Sequence, residues 1–332
     1  MARTARVKKT GSGTAYYHLM SRTNDRRFLF VKGRVKTQLV DALKRAAAFS
    51  GVELYTFAVM SNHFHLLVRV PRKKAVSDKE LERRMLAWYG PGKFAAILEK
   101  WEKWTKKKRP DLVEDEKARM RARMYDISQF CKTFKEAYTQ DYNKRHENTG
   151  TIWEGRFKSI LLEGSFRALM TVAGYVHLNP VRAAMVERPE ESRWTGYGAG
   201  CQGDLAAQDG LRDLVSRACG AKETEWNEAK RACANAIDGK VPESAPRPKD
   251  APLPEDVVET DDRGRPVRAG SLRALLTRRV AGFLHGGALG EERFLKRVAE
   301  YLPPRVRRRA EGLFDRCPFL GLESAAGVRE VS

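Results

Sequence analysis

Residues 55–70 read YTFAVMSNHFHLLVRV, and the fold of this chain turns on that stretch. Two apolar runs flank the polar pair Ser61-Asn62, so the stretch reads as a β-hairpin whose second strand opens on His63 and His65. Side chains alternate faces along a strand, which puts the two imidazoles on one face and Phe64 on the other. Two imidazoles on one face make half of a divalent-cation site. A His-x-His that opens a strand is nevertheless more often structural when nothing accompanies it.

Working outward, the segment before the hairpin begins with a basic arm, residues 1–13, and a first strand over 15–21, AYYHLMS. The loop SRTNDRR follows and carries Arg22, Arg26 and Arg27. Val35, Leu39, Leu43 and Ala46-Ala47 fall on one helical face, and Ser50-Gly51 ends that helix. Strand, helix, strand, strand is the first half of a ferredoxin-like layout. After the hairpin, Ile127, Phe130, Phe134, Tyr138 and Tyr142 recur at steps of three and four and predict a second core helix over 126–146. Residues 157–162 fit a fourth strand, and Ser165 is placed to cap a helix running through Tyr175. The expected fold is therefore α+β: a ferredoxin-like βαββαβ core with an antiparallel sheet, closed by a C-terminal tyrosine-bearing helix.

The core is expected to occupy residues 14–200, interrupted by a helical insertion over 72–125. That insertion holds Trp88, Trp101 and Trp104 beside a run of Lys and Arg. A solvated amphipathic helix pair and a DNA contact both fit it. Residues 201–268 read as a poorly structured linker, because 240–268 is rich in Pro, Asp, Glu and Arg and low in hydrophobicity. Residues 269–332 read as a small basic helical extension.

Charge narrows the partners. Lys plus Arg number 63 against 42 Asp plus Glu, a net charge of +21, which favours a polyanion and above all nucleic acid. No apolar run approaches the roughly 18 residues of a transmembrane helix, and the basic N-terminus lacks the apolar segment of a secretory signal, so no membrane partner is expected. Five scattered cysteines with no CxxC pair point to a reducing, cytoplasmic setting and away from disulfides or a zinc–cysteine site.

The half-site at His63 and His65 needs a further ligand, and cleavage chemistry would need a nucleophile. The segment GYVHLNPVRAAMVERP, residues 174–189, offers one of each: Tyr175 and Asn179 lie four apart, on one face if helical. Pro180 disfavours the helical conformation at Asn179, so the helix ends or kinks there. Taken by itself Tyr175 could equally pack a helix on a sheet. His177 and His18 read as structural, and Asn62 as a turn residue.

The motifs YHLMSRTNDRR, TFAVMSNHFHLLV, GTIWEGRFKS and YVHLNPVRAAMV, in this order, resemble the REP-associated tyrosine transposases, within the single-tyrosine HUH transposases of the IS200-like group. The resemblance covers residues 14–197. It implies His63 and His65 as metal ligands, Asn179 as the third ligand and Tyr175 as the nucleophile. It also implies single-stranded DNA hairpins of the REP-like kind as partner, with a monomer favoured and a dimer open. The insertion and the C-terminal extension depart from the family pattern and leave target choice open.

The chemistry such a set supports is metal-dependent single-strand cleavage and strand transfer through a covalent 5′-phosphotyrosine. A phenol attacks phosphorus while a cation takes up charge on the phosphate. Mixed imidazole and amide ligation suits Mg²⁺ or Mn²⁺. For the DNA strand, Arg22, Arg26, Arg27, Arg156, Lys158 and Arg182 are candidate phosphate contacts and Trp153 a candidate base-stacking ring. The alternative is a non-catalytic DNA-hairpin-binding protein. An RNA-binding module ranks below both, since no strand carries the aromatic signature of such domains.

Overall fold

The computed structural model describes residues 13–240 and, beyond them, the short strands Glu259–Thr260, Pro266–Val267, Ala288–Gly290, Phe314–Cys317 and Leu322–Ala325. The chain runs β1 (Ala15–Arg22), α1 (Gly33–Ser50), β2 (Glu53–Val59), β3 (His63–Val70), α2 (Asp78–Lys106), α3 (Pro110–Ala122), α4 (Ile127–His146), β4 (Lys158–Leu162) and α5 (Phe166–His177). The four strands lie in the order β2-β3-β1-β4, and each neighbouring pair is antiparallel. This is the expected α+β, ferredoxin-like βαββαβ core. Ala288–Gly290 extends the sheet in parallel beside β4, with Leu161 opposite Ala288.

Strand periodicity decides which side each residue serves. Tyr17, Leu19, Phe64, Leu66 and Val68 face α1 and α4 in one apolar core. Leu67, Ile160 and Leu162 point the other way and pack with α5 in a second. The sheet is therefore covered on both faces, and its central strands are apolar almost throughout. His18, His63 and His65 share the parity of Leu67, which places them on the α5 side.

Local chemistry sets the helix ends. α1 stops at Gly51, whose φ of 68° lets its N–H reach the carbonyl of Ala47. A Cβ there would also sit 2.7 Å from the Tyr125 ring, so glycine is required twice over. Asp126 caps α4 by accepting from the N–H groups of Ser128 and Gln129. Ser165 caps α5 by accepting from that of Ala168, at the position the sequence indicates. α2 is broken at Gly90 (φ 75°, ψ 167°) just before Pro91, where the helix loses a donor. Its segments and α3 enclose a satellite core of Leu81, Met85, Trp101 and Val113 against Phe49 and Met124.

The expected linker beyond residue 200 is not one over its first forty residues. After α6 (Asn179–Arg182) and α7 (Gly196–Cys201), residues 205–237 form α8 (Leu205–Cys219) and α9 (Trp226–Ile237). Leu211, Leu214 and Val215 of α8, with Ala229, Cys233, Ala236 and Ile237 of α9, join the second core around α5. Asp204 caps α8 and Gly220 ends it in a left-handed conformation. The polar residues that thin this stretch in sequence lie on the outward helix faces, so its mean composition hides a periodic apolar stripe. Gly174 marks the closest approach, since a Cβ there would come 2.7 Å from the carbonyl oxygen of Ala236. The described parts of 269–332 are extended rather than helical; the stretches expected to be helical lie outside the described residues, as does the basic arm up to residue 12.

Candidate active site

β3 and β1 run side by side with Arg22 opposite His63 and Met20 opposite His65. The imidazoles of His63 and His65 meet edge to face, their centroids 5.1 Å apart. α5 crosses this face of the sheet and carries Tyr175 to His65, with a ring separation of 5.7 Å. His18 on β1 stands at the same distance from Tyr175 and stacks on His65 at 5.2 Å. A tyrosine and a histidine 110 positions apart in the chain thus share one buried corner.

Hydrogen bonds orient the rings. The Asn62 amide donates from Nδ2 to the carbonyl of Arg26 at 2.9 Å, which fixes the amide and turns its oxygen toward the ring of His63, 2.7 Å from Nδ1. Nδ1 must then carry the proton, and the lone pair lies on Nε2. His65 Nδ1 lies 3.0 Å from His18 Nε2. With the proton on His65 Nδ1, His65 too presents Nε2. Burial holds the pKa of His65 well below its ordinary value, and His63, His18, Arg182 and Arg22 add to the shift. A neutral imidazole is the form a metal ligand needs.

The end of α5 supplies the rest. The helix stops at His177 and restarts at Asn179, next to Pro180. The Nδ2 group of Asn179 donates back to the carbonyls of Tyr175 and Val176, which leaves its Oδ1 as an acceptor. Arg182 also donates to the carbonyl of Tyr175, at 3.0 Å, and its guanidinium lies 4.1 Å above the Tyr175 ring. Tyr175 and His65 are each 1% exposed and Asn179 8%. The imidazoles of His18, His63 and His65 line this corner, and Asn179 lies one helical turn beyond Tyr175 at the end of α5. Among the described residues no cluster of three or more His, Cys, Asp or Glu is arranged to hold a metal.

Trp153 corrects the expected base-stacking ring. It is 3% exposed, packed among Phe30, Phe64, Phe134 and Tyr138, and its indole N–H donates to Thr139 Oγ1 at 2.9 Å. A ring walled in on both faces has no surface to offer a base. The candidate phosphate contacts divide by place. Arg26, Arg27 and Arg156 are exposed; Arg22 and Lys158 are half-buried beside the site, where Lys158 pairs with Met20 across the strands. Arg182 is held on Tyr175. Asn62 does more than shape the turn, since it orients His63, while His18 is structural as expected, buried and hydrogen-bonded to His65. The contact of Asn62 is with its own neighbour, and that of His18 follows only from the pairing of β1 with β3. His177 is likewise structural: it is fully buried and bonds Thr56 Oγ1 at 2.7 Å.

An antiparallel α+β sheet with paired histidines on one face and a helix-borne tyrosine packed against them defines the architectural class. Residues 12–79, which span the β1–α1–β2–β3 segment, match the family described as "Transposase IS200 like". Among solved structures it is similar to the "REP associates tyrosine transposase bound to a REP hairpin", at 13% identity over 62% of this chain and 88% of that chain, with a TM-score of 0.39. No curated protein matches the chain. Among the described residues no helix is long and apolar enough to cross a membrane.

Proposed function

We propose that the protein is a metal-dependent single-strand DNA endonuclease and strand transferase that acts through a covalent 5′-phosphotyrosine on DNA hairpins of the REP-like kind. The observation that carries this reading is the meeting of Tyr175 with His65 and His18 across the α5–sheet interface. The match of residues 12–79 to the IS200-like transposase family supports it, as does the net charge of +21.

In this mechanism the phenol oxygen of Tyr175 attacks phosphorus and gives up its proton. The P–O3′ bond breaks, and the departing 3′ oxygen takes up a proton. The phosphotyrosine keeps the energy of the ester, so a 3′-OH can later attack it and restore the phenol. His63 and His65 through Nε2, and Asn179 through Oδ1, would hold Mg²⁺ or Mn²⁺, and the donor types fit such an ion. When bound, the ion would take up negative charge on the scissile phosphate. Because Tyr175 is almost wholly buried, a phosphate reaches it once the Arg182 guanidinium swings off the ring, and the freed guanidinium then pairs with that phosphate. Arg22, Arg26, Arg27, Arg156 and Lys158 neutralise further phosphates of the strand.

The burial of Tyr175 is also the observation that favours a second reading, a hairpin-binding protein that does not cleave. One experiment separates the two. Structured single-stranded oligonucleotides are incubated with the protein in Mn²⁺, in Mg²⁺ and in EDTA, and adducts are trapped on denaturing gels. The proposal expects an adduct in either metal, none in EDTA, and none from Tyr175→Phe. Binding that persists in EDTA with no adduct under any condition establishes the second reading, and an adduct formed by Tyr175→Phe refutes the assignment of the nucleophile.

A further inference from the structure

Large apolar side chains are rarely displayed on the described surface, and one of them lies in a loop that Asn62 ties to the strand of His63. Phe28 is 69% exposed, and Val31, three residues on, is 63% exposed. Both belong to the loop between β1 and α1. That loop is not slack. Thr23 Oγ1 donates to the carbonyl of Arg27 at 2.7 Å, and Asn62 Nδ2 to that of Arg26. The N–H of Arg27 bonds the carbonyl of Asn24, and that of Phe30 bonds the carbonyl of Ser61. Asp25 and Arg26 take left-handed backbone conformations, with φ of 53° and 55°. Phe30 is fully buried against Tyr138 and Trp153. With Phe30 turned inward and the backbone tied at both ends, the Phe28 ring is held out in water, where an apolar ring gains nothing in the free protein.

The surroundings say what the ring meets. Arg26, Arg27, Lys32 and Arg34 are all exposed in the same segment of chain and engage no carboxylate among the described residues. The amide of Asn62 that holds the Arg26 carbonyl also holds the His63 ring, so the loop and the histidine pair are positioned by the same side chain. An exposed aromatic ring in a segment that carries unpaired cations is what a single-stranded nucleic acid needs, with phosphates on the arginines and a base on the ring. A duplex has no open base face to offer it.

We propose that Phe28 is a base-stacking residue that receives an unpaired nucleobase of the strand entering the His63–His65 corner. The inference rests on the nucleic-acid reading above and deepens it: Phe28, with Arg26 and Arg27, selects single-stranded over paired DNA next to the cleaved phosphate. Every base has a π face, so the selection is for strandedness and not for sequence.

The test uses the full chain in EDTA, which stops cleavage, with hairpin oligonucleotides that carry a single-stranded flank. 2-Aminopurine is placed at each flank position in turn, and affinity is read by anisotropy at fixed salt. Phe28→Ala is expected to weaken binding of the flanked hairpin by about 5- to 100-fold and to leave a blunt duplex unaffected. At one flank position the wild type and Phe28→Trp quench the probe, whereas Phe28→Ala and Phe28→Leu do not. Wild-type affinity in Phe28→Ala or Phe28→Leu overturns the proposal. So does a change of oligomeric state on sedimentation with DNA affinity intact, which makes the patch a contact between copies of the chain. A wild type that binds the flanked hairpin in a Phe28-dependent way yet forms no adduct in Mn²⁺ removes the cleavage reading alone. A wild type that binds no nucleic acid removes both.

Discussion

Replacing Asn62 with alanine tests how the candidate site is assembled. Asn62 is not among the residues with positive φ, so alanine takes its backbone conformation without strain, and the change removes only the amide. Two hydrogen bonds go with it, to the Arg26 carbonyl at 2.9 Å and to His63 Nδ1 at 2.7 Å. Each is worth about 0.5–1.5 kcal/mol net, and both lie near the surface, so stability is expected to fall by ~1–2 kcal/mol. The larger effect falls on His63. Without the amide oxygen its proton is no longer directed to Nδ1, and fewer molecules present the Nε2 lone pair. Losing an outer partner of this kind lowers metal affinity about 10- to 100-fold, which is ~1.4–2.7 kcal/mol. Mn²⁺ calorimetry on wild type and Asn62→Ala reads this directly, and the Mn²⁺ concentration for half-maximal adduct should rise by the same factor and recover at saturation. Asn62→Asp keeps the acceptor and is expected to restore most of the affinity. If Asn62→Ala takes up Mn²⁺ as the wild type does, with an unchanged half-maximal concentration, the amide does not orient a metal ligand and the reasoning is refuted.

Two further outcomes concern the second core. Gly174→Val must push α9 away from α5, because a side chain there meets the Ala236 carbonyl; a loss of ~1–3 kcal/mol in urea unfolding is expected, and an unchanged midpoint would show that the helices are not packed backbone to backbone. Burial pushes His177 down to about 3 from an ordinary 6.5, so the unfolded chain binds its proton first. The stability this group contributes is fully present above pH 6.5 and is lost as pH falls toward 3, by about 1.4 kcal/mol per pH unit in that window. His177→Gln should flatten the fall in urea midpoint between pH 6.5 and 4, and an equal slope in the variant would contradict the assignment.

Much of the chain is legible because local rules act alone there. The alternation of residues 63–70 puts His63 and His65 on one face without knowledge of any partner, and Ser165, Asp126 and Gly51 cap or end helices through bonds that span a few residues. The kink at Asn179 follows likewise from Pro180. The four-strand core follows from these elements, since the period of each apolar pattern names its type and the order of elements restricts the sheet.

The tertiary structure decides what depends on which elements touch. Trp153 has the composition of a stacking platform, and only the docking of α4 and of the β1–α1 loop shows that both its faces are covered. α8 carried a readable signature in its Asp204 cap, Leu211, Leu214, Val215 and Gly220. Its polar outer face concealed it, and nothing local says that the stripe packs on α5. His18 meets His65 only because β1 pairs with β3, and Phe28 is known to be exposed only because Phe30 and the Asn62 bond fix its loop. Sequence by itself determined the kinds of elements and the face on which each histidine lies, because backbone geometry enforces those residue by residue. Whether a given aromatic ring ends in the core, against a histidine or in water was decided by contacts between segments from about twenty to more than a hundred residues apart, and no local pattern encodes them.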